Sequence, residues 1–456
     1  GLKVWTVRFG AALWGIADLI AIAIVAAELI DLRAAAIAAM LVALSPWHLV
    51  ASRFGHEAIT ASATISWAVA VFLAAIRRQH GSWLIASGLL FGISLYSYSI
   101  ARLATPLLMV ALAALFRREI RAMARAGVAA VEIFALVAIP QIWTLAVRGA
   151  ATQAHFRQLS VLSQPDGIWI FLRNWLASFG PAFLLGGGSR LVRHSGGLPL
   201  LWPSEAILAA LGLAAILDLR WRKAALLLAV WVAIAAVPGA LIAPAPTPHP
   251  LHDLLMAVPL SLLAALGTVF VLDLSIWTRP TTITLARTGC AVLGAAAAIL
   301  VFAQGIGTAA KYFSNFSDGH EWLFQYGAQE VITQAERLAP PGSPIVIPLT
   351  FNQPYIYVLF FNSYPPRDFF SKQVVGKERL FGSVLAFDRY RFGDPYRAYR
   401  SLPHGVFVFP KSIVVPDDPM QAFAPPGEKT VEFPPPPAFP AATIASGRDA
   451  FSIVVK

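Results

Sequence analysis

The stretch Leu41-Val-Ala-Leu-Ser-Pro-Trp-His-Leu-Val-Ala-Ser-Arg-Phe-Gly-His-Glu57 breaks a long apolar run at Ser45-Pro46 and sets Trp47, His48, Arg53, His56 and Glu57 ahead of the next run, which begins at Ala58. Ionisable groups caught between two hydrophobic segments are costly unless they face water, a partner or a cavity. The break therefore points to helices that cross a bilayer and to a connection where chemistry can reside.

Composition agrees. Of 456 residues 57% are hydrophobic and 13% charged, with a mean hydropathy of +0.67, whereas soluble domains carry about 25% charged residues. The chain reads as a mainly α, polytopic membrane protein. Its net charge of +11 does not read as a nucleic-acid surface, because Lys and Arg fall in short segments between apolar runs and not along one face. No nucleic-acid partner is expected, and membrane lipids are. The one cysteine, Cys290, lies inside an apolar run, so neither a disulfide nor a thiolate metal site is indicated. The opening Leu2-Lys-Val-Trp-Thr-Val-Arg8 reads as the flank of a helix and not as a signal peptide. An upstream segment is expected.

A membrane span needs roughly 20 apolar residues. Runs of about that size, some shorter, lie near 10–30, 34–52, 58–76, 83–100, 103–116, 128–147, 203–218, 224–243, 253–273 and 287–309, giving about ten transmembrane helices. Arg33, Arg77-Arg78, Arg117/Arg118/Arg121/Arg125, Arg220/Arg222/Lys223 and Arg279/Arg287 occupy alternate connections. The positive-inside rule makes these cytoplasmic. Connections 53–57, 101–102, 148–202 and 244–252 are then extracytoplasmic, and parity sends the tail from Lys311 to the same side. The expected organisation is a transmembrane domain over 1–310, with a long outer loop at 148–202, and an extracytoplasmic α/β domain over 311–456, in a multi-pass protein of the inner (plasma) membrane.

Within the outer loop, Phe171-Leu-Arg-Asn-Trp-Leu-Ala-Ser-Phe-Gly180 has the aromatic-rich apolar face of an interfacial helix, and Gly186-Gly-Gly188 follows it. In the tail, Ser343-Pro-Ile-Val-Ile-Pro348, Tyr355-Ile-Tyr-Val-Leu-Phe-Phe361, Gly405-Val-Phe-Val-Phe-Pro410 and Phe451-Ser-Ile-Val-Val-Lys456 read as short strands, with a helix over 321–338. Phe433-Pro-Pro-Pro-Pro-Ala-Phe-Pro440 reads as a stiff spacer.

Eight of the nine histidines fall on the outer side, His80 being the exception. His48, His56, His155, His194, His249 and His252 lie near outer loops, and His320 and His404 in the tail. Such residues are either solvated loop groups or part of a site. Two or three of them with Glu57 or Asp253 could hold a divalent cation, since imidazole and carboxylate are its usual donors; Glu57, His249 and Asp253 are the ligand set to test. Arg53 and Glu57 are four apart and would share a face if a helix began near Ala51, leaving open a simple ion pair or an arginine on phosphate beside a carboxylate on an acceptor, a metal or a second cation. Pro244-Ala-Pro-Thr-Pro-His-Pro-Leu-His-Asp253 is a rigid turn that could project His249, His252 and Asp253 into a cleft. Arg102 closes Gly92-Ile-Ser-Leu-Tyr-Ser-Tyr-Ser-Ile-Ala-Arg102, either an interfacial belt or a phosphate or sugar contact. There is no GxxxxGK[ST], HExxH or GxSxG.

These residues, in this order, resemble the GT-C superfamily of polyprenyl-phosphate-sugar-dependent glycosyltransferases, in particular the protein mannosyltransferase and aminoarabinose transferase type. The resemblance rests on Ala38-Ala-Met-Leu-Val-Ala-Leu-Ser-Pro-Trp-His-Leu-Val-Ala-Ser-Arg53, Gly88-Leu-Leu-Phe-Gly-Ile-Ser-Leu-Tyr-Ser-Tyr98, Arg193-His-Ser195 and Pro248-His-Pro-Leu-His252. The first stretch is the specific one. It implies inverting transfer of a hexosyl or pentosyl group from a polyprenyl-phosphate sugar donor to a glycan, lipid or protein acceptor of the cell envelope. A carboxylate takes the acceptor proton, and cations or a metal stabilise the departing phosphate. The family's principal catalytic aspartate is implied to lie upstream of Gly1, leaving Glu57 as a secondary acidic residue, with Arg53, Arg102, His194, His249 and His252 as donor or acceptor contacts. Relatives often carry Arg where His252 stands, so a phosphate role for it implies a protonated imidazole. A transporter or flippase for a lipid-linked or anionic substrate is the rival reading, and would show paired charges near mid-membrane; Asp18 and Glu28 are the acids well inside a span.

Overall fold

The computed structural model describes the chain except residues 1–2, 148–159, 187–194, 196, 243–247, 278–282, 316–326, 352, 377–383, 411, 416–428 and 433–450. It divides into two compact units, Val7–Phe316 and Ser317–Lys456 with the first six residues.

Every apolar run expected in the first unit is helical. In chain order these are α1 (Val4–Leu29), α2 (Leu32–Leu44), α3 (Pro46–Arg53), α4 (Ala58–Arg78), α5 (Gly81–Ser94) and α6 (Ala101–Leu115). The short α7 (Arg117–Ala122) leads into α8 (Ala124–Val147), and α9 (Gly167–Ala177) lies within the long loop. The last four are α10 (Pro203–Ala214), α11 (Arg222–Ala235), α12 (Ala257–Trp277) and α13 (Ile283–Asn315). Among the described residues 5 helices are long and apolar enough to cross a membrane, up to 6 if the bent pair α2–α3 is one span. The segments Gly81–Ser94, Ala101–Leu115 and Pro203–Leu217 are apolar but shorter.

The bundle is packed as lipid requires. α1 and α8 turn exposed Trp14, Ile16, Ile20, Val131, Ile142 and Trp143 outward, while α4 and α12 are mostly buried. Lipid tails are as apolar as leucine, so helices associate where small residues let backbones approach. Across α10 and α12, a Cβ on Gly212 would lie 1.9 Å from the Leu263 carbonyl oxygen, and one on Gly267 2.0 Å from that of Leu208. At Ser45-Pro46 the axis bends by 60°. The Ser45 hydroxyl accepts from the His48 N–H and Pro46 takes the first helical position, where its missing N–H costs nothing.

The second unit is built on a six-stranded sheet in the order β2-β3-β4-β1-β5-β8. Its strands are β1 (Ile345–Ile347), β2 (Val374–Val375), β3 (Val384–Phe387), β4 (Tyr390–Phe392), β5 (Val406–Pro410) and β8 (Phe451–Val455). A separate hairpin pairs β6 (Ser412–Val415) with β7 (Lys429–Glu432). β1 runs parallel to both β4 and β5. Ile345, Val406 and Val408 pack with the Ala328–Leu338 helix on one face, and Val346, Phe407 and Phe409 with Tyr399 on the other, which is why β5 is apolar throughout. One expectation fails: residues 355–361 belong to a helix, Pro354–Phe361, not a strand. Proline at its first position favours that start, and an unbroken apolar run of this length has no period by which to tell strand from helix. The proline-rich 433–440 segment and residues 321–326 of the expected helix lie outside the described residues.

Candidate functional site

α3 ends at Arg53 and α4 begins only at Ala58, so Arg53 and Glu57 are not one turn apart on a single helix. Neither partners the other. The Arg53 guanidinium stands 4.8 Å from the ring centre of Phe313 and 5.7 Å from that of Tyr312 on α13, a cation–π arrangement that leaves its N–H edge available. Glu57 is exposed, with Oε2 3.7 Å from His56 Nδ1.

The turn 54–57 meets two other connections at the same end of the bundle. His56 lies edge-on to Tyr98, from the α5–α6 turn, with ring centres 5.1 Å apart. His252, from the loop before α12, is within electrostatic reach of His56 and stacks on His249 at 4.2 Å. Trp47 ties the bent helix to that loop: fully buried, it donates from Nε1 to the Pro250 carbonyl at 2.8 Å. Burial, reinforced by the Glu57 charge, pushes the Tyr98 hydroxyl up to about 12. Burial lowers His56 despite the opposing pull of Glu57.

The imidazoles differ in what their nitrogens do. His56 Nδ1 accepts from the Ala58 N–H at 3.0 Å, and His249 Nδ1 accepts from the Leu251 N–H at 3.1 Å. An accepting Nδ1 carries no proton, so each ring presents Nε2–H as a donor. His252 Nδ1 is buried and has no hydrogen-bond partner. Under this loop, Asp253 Oδ2 accepts from the His249 N–H at 3.0 Å and from Ser178 Oγ at 3.5 Å. Gly239 makes room for it, since a Cβ there would stand 2.2 Å from Asp253 Oδ1.

The expected metal set is corrected by this geometry. Among the described residues no group of three or more His, Cys, Asp and Glu side chains is placed to hold an ion. Asp253 is turned beneath the loop to hold its backbone, His249 has Nδ1 engaged with Leu251, and Glu57 projects beside His56. The three do not form one ligand set. Arg102 is exposed on the first turn of α6, and no hydrogen bond or ion pair joins it to the cluster. His194 lies outside the described residues.

Three features escaped the sequence. His56 stood in the decisive stretch, but its role as the hinge between Glu57, Tyr98 and His252 depends on three separate connections meeting. Asp18, fully buried, accepts from Ser62 Oγ at 2.6 Å and lies 3.6 Å from His48 Nε2. Its partners are 30 and 44 positions away, although a lone acid inside a span is itself a signal. Glu205, also fully buried, accepts from Ser261 Oγ at 2.7 Å. The segment expected to be interfacial contains the helix α9, whose Trp175 Nε1 donates to the Ala233 carbonyl at 2.9 Å while Ile168, Trp169 and Leu176 are exposed.

Residues 1–143 match the family model described as dolichyl-phosphate-mannose-protein mannosyltransferase, a region containing Arg53, His56, Glu57 and Tyr98. No curated protein matches the chain significantly. Among solved structures, ArnT from Cupriavidus metallidurans bound to undecaprenyl phosphate aligns with a TM-score of 0.53 and 14% identity, over 92% of this chain and 83% of its own. The oligosaccharyltransferase of Archaeoglobus fulgidus in its apo form aligns with a TM-score of 0.48 and 14% identity, over 79% of this chain and 49% of its own. Residues 1–143 are thus similar to the mannosyltransferase family, and the fold of the chain is similar to that of ArnT over 92% of its length.

Proposed function

We propose that this protein transfers a sugar from a polyprenyl-phosphate donor to an acceptor hydroxyl at the histidine end of the bundle, on the extracytoplasmic face, with the C-terminal unit on the same side. The observation that carries this is the meeting of His56, Glu57 and Tyr98 with the His249–His252 loop, beside the bent helix α3 that Trp47 ties to that loop and that ends at Arg53. The family description and the ArnT complex, each naming a polyprenyl or dolichyl phosphate, support that donor class.

In the transfer, the bond from the anomeric carbon to the phosphate oxygen breaks and the acceptor oxygen forms its bond to that carbon. The acceptor proton passes to a carboxylate. Arg53 supplies a fixed charge to the phosphate, and the Nε2–H of His56 supplies a neutral donor near it. Donors aimed at the charge that develops on a leaving group are worth more in a water-poor site than in bulk solvent. Glu57, exposed beside His56, orients the acceptor hydroxyl.

Transfer of radiolabelled sugar from a polyprenyl-phosphate donor by the full-length protein tests this. Arg53→Ala and Glu57→Gln should each cost on the order of 10²-fold or more in rate. Unchanged transfer in both variants would remove these residues from the site.

A further inference from the structure

We infer that the hollow ahead of α9 is a saccharide-binding site, and that the acceptor of the transfer proposed above is therefore a glycan. The acceptor class rests on that proposal; the binding of sugar does not.

The hollow has a volume of about 500 Å³, within the roughly 300–1,000 Å³ of small-ligand sites. Leu162, Pro165, Ile168 and Trp169 line it together with Gln164 and Asp166, and all six are exposed to solvent. Its wall is fixed by backbone bonds. The Gln164 N–H donates to the Val161 carbonyl at 3.0 Å and the Gly167 N–H to the Gln164 carbonyl at 3.0 Å. Glycine is required at 167, since a Cβ there would stand 2.4 Å from the Val161 carbonyl oxygen. A site already shaped in the free protein loses little freedom when a ligand arrives.

The lining selects the ligand. An indole offers an electron-rich face, and a sugar ring offers a face of C–H groups that is apolar and weakly positive, so the two stack. Trp169 is 73% exposed, which leaves its ring open to such a partner. The hydroxyls around a sugar need acceptors and donors at the rim of that contact; a carboxylate accepts, and a carboxamide does both. Asp166 stands at the N-cap of α9 but makes no capping hydrogen bond. Among the described residues neither its carboxylate nor the Gln164 carboxamide has a hydrogen-bond partner. An acyl chain would cover the apolar groups and leave both polar ones unsatisfied, whereas a saccharide engages all of them. The carboxylate also repels anionic sugars, so a neutral or amine-bearing unit fits.

The hollow is fastened to the segment that leads to His249. The Val161 N–H donates to the Leu241 carbonyl at 2.9 Å, and Ser160 forms a β-bridge with Ile242. Beyond the far end of α9, Ser178 Oγ reaches Asp253 Oδ2 at 3.5 Å. One unit of a glycan held at Trp169 is thus anchored to the connection that also carries the His249–His252 loop, leaving another unit free to react.

Saturation-transfer NMR on the full-length protein in lipid nanodiscs tests this, with methyl α-mannopyranoside, methyl β-glucopyranoside and diacetylchitobiose as probes. At least one should receive saturation on its ring C–H protons. Trp169→Ala should weaken that binding by about tenfold or more, and Trp169→Phe should retain most of it. Asp166→Ala, which removes no bond of the fold, should weaken it by about tenfold. Absence of transfer to all three probes overturns the inference, and so does a signal present in detergent but lost in nanodiscs, because lipid then occupies Trp169. A signal unchanged in Trp169→Ala and Asp166→Ala overturns the assignment to this hollow. Binding of a Ser/Thr-rich peptide at Trp169 in place of the sugars overturns the glycan class. A protein that binds a probe normally yet transfers no sugar overturns the donor reading and leaves the saccharide site standing.

Discussion

The two ends of the helical bundle use ionisable residues in opposite ways. At the basic end Asp273, Glu28 and Glu119 are each met by arginine or lysine. Asp273 accepts from Arg33 at 3.0 Å and Arg220 at 2.8 Å, Glu28 pairs with Arg78 at 2.6 Å and Arg77 at 3.4 Å, and Glu119 pairs with Lys223. On the histidine side the contacts are looser: Glu57 reaches His56 at 3.7 Å and Asp18 reaches His48 at 3.6 Å. His252 Nδ1, Asp253 Oδ1, Asp18 Oδ1 and His48 Nε2 are buried without a hydrogen-bond partner. Paired charges fasten helices together and have little left to offer a ligand. Unpaired ones are a cost to the fold that a substrate can relieve.

The sharpest break in this contrast is the loss of sugar transfer in Arg53→Ala and Glu57→Gln, which should leave the basic end and its pairs untouched. Next comes Gly239→Ala. Its added methyl would stand 2.2 Å from Asp253 Oδ1, and Asp253 has too short a side chain to swing aside without releasing the His249 N–H. Overpacking of this kind costs about 1–3 kcal/mol. Thermal unfolding in detergent should show the loss, and transfer should fall with it because the His249–His252 loop shifts. A variant with wild-type stability and activity would mean that Asp253 does not hold the loop.

A smaller effect is expected at the basic end. Asp273→Ala leaves Arg33 and Arg220 without their shared acceptor, but their side chains are 45% and 53% exposed, so water replaces most of what is lost. Destabilisation should stay under about 1 kcal/mol, with transfer retained. A large loss of transfer would show that this end is coupled to the site.

How legible each end was follows from the range of its interactions. The apolar runs, the Ser45-Pro46 break and the alternation of basic connections are local patterns, and the helices match them run for run. Strands β1, β5 and β8 also announced themselves through short apolar segments bounded by turn residues, whereas residues 355–361 did not reveal their helix because nothing polar interrupts them. The expected ligand set of Glu57, His249 and Asp253 failed for a geometric reason: sequence shows which donors share a loop, but not that Asp253 turns beneath its own backbone. Likewise, Arg53 and Glu57 invited a one-turn pairing that the non-helical turn at 54–57 removes. The meeting of His56, Tyr98 and His252 joins positions more than 40 and 150 residues apart, which no periodicity encodes.

The smallest expected effect tests the basic end by pH. Burial works to raise Glu119, but the hydrogen bond from Lys223, the bond to its own backbone N–H, and the charges of Lys223 and Arg118 outweigh it, leaving the carboxyl below its ordinary 4.5. A carboxylate whose value is lower in the folded protein than in the unfolded chain stabilises fully above the unfolded value, and that contribution is lost as pH falls through the folded one. The Glu119–Lys223 pair should therefore contribute nothing distinguishable between about pH 6 and about pH 8 as pH is varied, and should weaken only below about pH 4.5. Glu119→Gln removes the pair at every pH, so the unfolding temperatures of variant and wild type should converge on acidification. Because both side chains are partly exposed, the gap at neutral pH should be small and should shrink further in high salt. A gap that widened in acid would place the stabilising charge elsewhere, and a gap insensitive to salt would mean that Glu119 acts through packing against α11 instead of through its charge.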